Sequence, residues 1–454
     1  MLFQLPSFLL FFLVFCALFA ICPKPARPAF VTLASLVFYA WWYPPAVLLL
    51  IAMIVGCWLM LLLVWRDRRW LTACVLVALV PLGLYKYADF VFSTVQSLTG
   101  IPTPRLGWGL PLAISFVTFT IISYLVDTAR QREDRPPEFW PTAVYLTFFP
   151  HLIAGPILRA RHILPQLPQM RIARAALMPN LALFTVGMLK KVLVADPVGA
   201  YVDRAYAAHA TLSGWEGLAA VFGFAIQIYC DFSAYSDMAI ALAGILGVSF
   251  PENFHSPYAS VSMTEIWRRW HMTLSFWLRD YVFKPLHSRL HTYARHLSII
   301  LTMTLSGLWH GAAWTFVLWG LVQGLVMAAE TASGFGRIAA AATGWLRASF
   351  IVWTFLLWSF LAVLFRSPSL SVAHDIAIGS LMRGGWSHWP EAATLPVLLG
   401  IGLLVLHPVD QMAKIRAAAG RVPAAIAAPV LLMLCLGCAV IASMHPANFY
   451  YFDF

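Results

Sequence analysis

Residues 264–286 read TEIWRRWHMTLSFWLRDYVFKPL, and beyond a basic connection residues 306–320 read SGLWHGAAWTFVLWG. Each segment carries one histidine of interest, His271 and His310, thirty-nine positions apart. The first segment is no ordinary membrane span, because Arg268, Arg269, Arg279, Asp280 and Lys284 surround its histidine and ionised side chains are costly in hydrocarbon. At helical spacing Trp267, Trp270, His271, Leu274, Leu278 and Tyr281 share one stripe, with Arg268, Arg269 and Arg279 off it. The expectation is an amphipathic cytoplasmic element whose histidine points to the apolar side. His310 is the reverse case, an ionisable residue inside the apolar run 297–328 beside Gly307, Trp309, Gly311 and Trp314. A titratable group kept there is a functional-site hypothesis by default. Small neighbours, Gly307, Gly311, Ala312 and Ala313, leave room for a ligand or a close backbone approach, against the alternative of a packing histidine bonded to a nearby carbonyl.

The surrounding composition sets the environment. Of 454 residues 61% are hydrophobic and 11% charged, far below the roughly one quarter charged of soluble domains. Apolar runs of about 20 residues, the length that crosses a hydrocarbon core, recur along the chain. The net charge of +11 falls in short Lys/Arg clusters between those runs, which is the pattern of cytoplasmic loops and not of a nucleic-acid surface. The seven cysteines lie almost wholly in apolar runs and read as small buried hydrophobes. Cys435 and Cys438 have a redox or zinc spacing but sit mid-helix with no second pair.

Working outward, the N-terminal run MLFQLPSFLLFFLVFCALFAIC meets its first basic residues, Lys24 and Arg27, only afterwards, which predicts an extracytoplasmic N-terminus and no signal peptide. Runs at 29–43 and 45–65 end on Arg66-Asp67-Arg68-Arg69; runs at 71–98 and 108–126 lead to the charged loop 130–135. Both ends of the short run 139–154 look cytoplasmic, and Pro150, Gly155 and Pro156 break it. The segment 139–156 reads as re-entrant, since irregular backbone at membrane depth must be buried in protein or line a cavity. The runs 177–200 and 215–247 carry Lys190, Lys191, Asp196, Gln227, Asp231 and Asp237 and so must face protein or water. Asp231 and Asp237 could serve a proton relay, a substrate path or a structural network. The 297–328 run is either one tilted span or two segments meeting at His310. Spans near 348–365, 394–407 and 425–445 complete an expected all-α polytopic membrane protein. It has roughly 10–13 helical segments, with re-entrant and amphipathic cytoplasmic helices around a central tunnel, in a single domain over 1–454.

Other motifs are weak. GFGRIA at 334–339 lacks a preceding strand, so no dinucleotide fingerprint is read, and His287 and His291 form an i, i+4 pair without an adjacent Glu. No metal or bound cofactor is expected.

The sequences at 264–286 and 306–320, with FPHLIAGPILR at 149–159, QIYCDFSAYSDMAIALAGILG at 227–247, FPENFHSPY at 250–258 and FYYFDF at 449–454, resemble the membrane-bound O-acyltransferase family. The likeness is to its bacterial branch of alginate O-acetylation and teichoic-acid D-alanylation membrane proteins, and it is dense over 140–330. The resemblance implies acyl transfer from a cytoplasmic thioester, acetyl-CoA first among them, to a hydroxyl. It places the family's intramembrane histidine on His310 and its second polar position on His271. A neutral imidazole can take a hydroxyl proton near neutrality, and a basic inner face suits a phosphate-bearing donor. Trp267, Arg268, Arg269, Trp270, Asp231, Asp237, Asn253 and Trp309 are candidates for the donor path or tunnel. The branch further implies a bacterial inner membrane location, an SGNH-like extracytoplasmic partner and an exported polysaccharide acceptor. The alternatives are D-alanyl-type transfer from a carrier protein and a non-enzymatic transporter or flippase.

Overall fold

The computed structural model describes residues 2–131, 134–153, 155–289, 294–445, 447, 449 and 450. His291 of the histidine pair and the last four residues of FYYFDF lie outside them. Among the described residues there is no strand: the chain is an all-α polytopic membrane protein. Six helices are long and apolar enough to cross a bilayer, Ala46–Arg66, Arg68–Thr99, Gly214–Ile245, Trp314–Ser333, Gly344–Arg366 and Ala424–Met444, with shorter apolar helices at Pro6–Ile21 and Glu391–Leu406. The charged residues that interrupt the 71–98 run do not end its helix. Pro81 is followed by a π-helical turn, Gly83–Tyr87, which absorbs the irregularity, and the Asp89 carboxylate accepts the Leu106 and Gly107 amides at 2.7 and 3.0 Å.

Two compact units make up the chain, Met1–Phe184 with Met238–Pro251, and Thr185–Asp237 with Glu252–Asp453. In the first, the segment expected to be re-entrant is two short helices, Phe139–Thr147 and Phe149–Leu152. The break at Phe148 would strand the Phe149 amide; the Ser35 hydroxyl accepts it at 3.1 Å. The Phe149 ring lies 5.1, 5.5 and 5.7 Å from those of Phe15, Phe11 and Phe38, so the interrupted segment is plugged into an aromatic core. That burial is what broken backbone in an apolar setting requires.

The second unit holds both histidines of interest. The 297–328 run resolves into two helices, Ala294–His310 and Trp314–Ser333, so the chain turns back immediately after His310. Glycine permits the close return. A Cβ at Gly320 would strike the Met303 carbonyl oxygen and meet the Gly307 Cα and N at 3.1 Å, and one at Gly307 would strike the Phe316 carbonyl. Gly320→Ala therefore has opposing consequences: about 1 kcal/mol gained in helix propensity against roughly 1–3 kcal/mol of overpacking between two backbones. The expected net result is a lower thermal midpoint and weakened activity, checked by thermal unfolding of the purified variant; an unchanged or raised midpoint would contradict this packing.

The segment expected to be one amphipathic helix is broken. Met263–Arg269 and Met272–Leu278 are separate helices, with His271 between them at φ 42°, ψ 51°. Helical spacing sorted most of the burial, for Trp267, Trp270, His271, Leu274 and Leu278 are buried while Arg268 and Arg279 are exposed; Tyr281, on the stripe, is half-buried, and Trp277 and Asp280, off it, are buried. The left-handed residue re-aims the second helix, and local periodicity carries no sign of it.

Candidate active site

His310 ends its helix inside a box of aromatic rings, with centroids 4.7 Å from Trp309, 5.2 Å from Phe365 and 5.4 Å from Trp319. It is 4% exposed. Trp309 is also the ring between the two histidines, 6.4 Å from His271. His271 is fully buried, edge-on to Phe232 at 4.6 Å. Burial pushes its pKa down to about 3, so the imidazole is neutral throughout the physiological range.

Ser298, Thr302 and Ser306 precede His310 at intervals of four on the same helix. All are buried, and none of their hydroxyls has a hydrogen-bond partner among the described residues. A helical serine or threonine ordinarily satisfies itself on the carbonyl four residues back, so a stripe of idle hydroxyls ending at His310 is a feature to be explained. Gln323 belongs with it: its Oε1 accepts the Trp267 indole N–H at 2.6 Å while its Nε2 is buried without a partner among the described residues. The sequence reading missed these four residues. The signal was present as the 298/302/306/310 spacing, and as one amide in an apolar run four residues after Trp319.

Trp270 packs on Phe254 and Trp358, at 5.1 and 5.0 Å. Arg268 and Arg269 face a polar cavity of about 900 Å³ that Arg295, Arg337, Glu265 and Glu330 also line. Its two carboxylates are engaged. Glu265 pairs with Arg269 at 2.7 Å, and Glu330 accepts the Met263 and Thr264 amides and the Thr264 hydroxyl at 2.6–2.9 Å, capping the first turn of the Met263–Arg269 helix. Arg268, Arg295 and Arg337 have no ion-pair partner among the described residues, and with four arginines against two glutamates the cavity lining is net positive.

Asp231 and Asp237 lie elsewhere in the same unit. Lys191 bridges Asp231 and Asp196, both at 2.7 Å, and Lys190 bridges Asp237 and Asp410 at 2.6 and 3.1 Å. Tyr229 donates to Asp410 at 2.7 Å, and the Tyr450 amide donates to Asp231 at 2.7 Å. These carboxylates belong to a buried ion-pair network; Phe232, the neighbour of Asp231, is edge-on to His271, and Ser236, the neighbour of Asp237, accepts from the Asn253 amide. Asn253 is brought to His271 directly, its Oδ1 lying 3.1 Å from the imidazole Nδ1.

Two buried histidines about one tryptophan, and a basic cavity in the same unit, are the features to be assigned, and sequence comparison supplies the class. Residues 38–370 match the membrane-bound O-acyltransferase family; the chain belongs to that family and is an O-acyltransferase. It is 38% identical over 406 residues to the probable alginate O-acetylase of Azotobacter vinelandii, covering 85% of this chain and 79% of that one. It is 32% identical over 374 residues to the peptidoglycan O-acetyltransferase of Helicobacter pylori, covering 73% and 71%. The teichoic acid D-alanyltransferase of Streptococcus thermophilus is 28% identical over 280 residues, covering 57% and 64%.

Proposed function

We propose that this protein is a membrane O-acetyltransferase of an exported polysaccharide. It takes an acetyl group from a cytoplasmic thioester, acetyl-CoA, and passes it across the inner membrane, with the N-terminus on the periplasmic side. The observation that carries the reading is the His310 helix itself. It starts beside the arginine-lined cavity at Arg295, presents idle buried hydroxyls at Ser298, Thr302 and Ser306, and ends on a histidine enclosed by aromatic rings. A phosphate-bearing donor suits the cavity through charge-assisted bonds, its amide-containing arm suits the hydroxyl stripe, and His310 is the group that handles the acyl carbon or the hydroxyl proton. The relatives named for O-acetylation of alginate and of peptidoglycan favour acetyl and a polysaccharide acceptor. The final acceptor lies outside the cytoplasm, so a periplasmic SGNH-like acyltransferase is the partner this reading requires.

The test is transfer of labelled acetyl from acetyl-CoA, without any carrier protein, by the purified protein in lipid nanodiscs. Arg268→Glu combined with Arg337→Glu should raise KM for acetyl-CoA by about 10- to 100-fold, as expected for loss of one or two bonds to charged groups, with kcat little changed. Added salt should shrink the difference between variant and wild type. An unaltered KM would remove the donor from this cavity, and strict dependence on an acyl-carrier protein would move the reading to D-alanyl-type chemistry.

A further inference from the structure

Asn253 holds more than one bond near the buried histidine, and together those bonds determine where the His271 proton sits. Its side-chain oxygen lies 3.2 Å from the Thr273 backbone nitrogen and 2.9 Å from the Thr273 hydroxyl. A backbone N–H can only donate, so the amide atom facing it is the oxygen and the amide orientation is settled. The other end agrees, for Nδ2 donates to the Ser236 hydroxyl at 2.9 Å. His271 Nδ1, 3.1 Å from that same oxygen, therefore faces an atom that only accepts and must itself carry the hydrogen. In a neutral imidazole this leaves Nε2 as a bare lone pair. Nε2 is buried and has no hydrogen-bond partner among the described residues.

The backbone supports the arrangement from both sides. The Met272 amide donates to the Asn253 carbonyl at 2.9 Å and the His255 amide to the Arg269 carbonyl at 2.9 Å, so the 253–255 loop is strapped to both flanks of His271. The left-handed conformation of His271 is uncommon for a residue with a side chain, and persists where surrounding bonds over-determine it. The rings packed on the imidazole, Phe232, Phe254 and Trp309, offer no acceptor or charge that would favour the other tautomer.

We propose that Asn253 is a positioning residue that locks His271 in the Nδ1–H tautomer, so that Nε2 is held ready to accept a hydrogen bond from the hydroxyl that receives the acyl group. This rests on the acyl-transfer reading above. An unsatisfied acceptor in a dry interior is costly, and a hydroxyl is the proton-bearing group the reaction brings. The role of Asn253 is orientation through His271, without contact with the reacting atoms.

Acetyl transfer by the purified wild type, Asn253→Ala, Asn253→Asp, His271→Ala and His310→Ala, with thermal midpoints for each, tests it. Asp keeps the acceptor oxygen and Ala removes it. Asn253→Ala should lower kcat by about 10²-fold or more, given that a wrong tautomer costs up to about 10⁴-fold in a serine-protease triad, with KM for acetyl-CoA unchanged. Asn253→Asp should stay within about tenfold of wild type. Near wild-type kcat in Asn253→Ala, or equal losses in the two variants, would overturn the lock. Where Asn253→Ala does not fold, Asn253→Asp decides alone, and a loss as large as that of His271→Ala would overturn it. Transfer that fails in wild type or survives in His310→Ala would instead overturn the acyl-transfer reading, so the two failures are distinguishable.

Discussion

His310→Ala should abolish acyl transfer. Loss of a positioned general base costs about 10²- to 10⁴-fold in rate, and more where a covalent step disappears. Alanine also empties the box formed by Trp309, Trp319 and Phe365, and a large-to-small change at a buried site lowers stability as well, so loss of activity in that variant alone would not separate chemistry from packing. His310→Phe separates them. A benzyl ring refills the aromatic box without a ring nitrogen, so the thermal midpoint should return toward wild type while transfer remains lost. Labelled-acetyl transfer and thermal unfolding on the three purified proteins decide the matter. Activity restored by Phe would make His310 a packing residue and would remove the site from this position.

The second large effect is on stability. Lys191→Met should cost about 3–5 kcal/mol, the usual consequence of removing one partner from a buried ion pair, because it leaves the Asp196 and Asp231 carboxylates with no cation between them. The Lys191 side chain is only 2% exposed, so water cannot take its place cheaply. Replacing all three groups, with Asp196→Asn and Asp231→Asn added to Lys191→Met, should recover much of the loss, since a whole buried ion set exchanged for neutral groups is often close to neutral in stability. Thermal midpoints of the single and triple variants in the same detergent provide the measurement. A single variant as stable as wild type would show the network to be dispensable.

Much of this protein could be read from residue order alone. Run lengths and the placement of Lys and Arg marked a polytopic helical protein, because crossing hydrocarbon demands about 20 apolar residues whatever the neighbours are. His310 stood out for the same reason: the cost of an imidazole in an apolar run is local. The 3.6-residue period was enough to say that Trp267, Trp270 and His271 are buried and Arg268 is not. It even held the Ser298, Thr302, Ser306 series, unused because serine and threonine are unremarkable in helices.

Only the tertiary structure decided the rest. Lys190 finds Asp410 at a separation of 220 residues, and Asp231 finds the Tyr450 amide at 219; a buried charge demands a partner without specifying which distant segment supplies it. The sequence left the 297–328 run as one tilted span or two segments meeting at His310; the choice of two depends on Gly307 and Gly320 meeting across a hairpin, which only packing shows. The left-handed break at His271, and the Asn253 oxygen that faces its Nδ1, arise from a loop packed against the chain 18 residues later. Local sequence encodes backbone period and burial cost, while the choice among remote hydrogen-bond and charge partners is made only when distant segments pack together and exclude water.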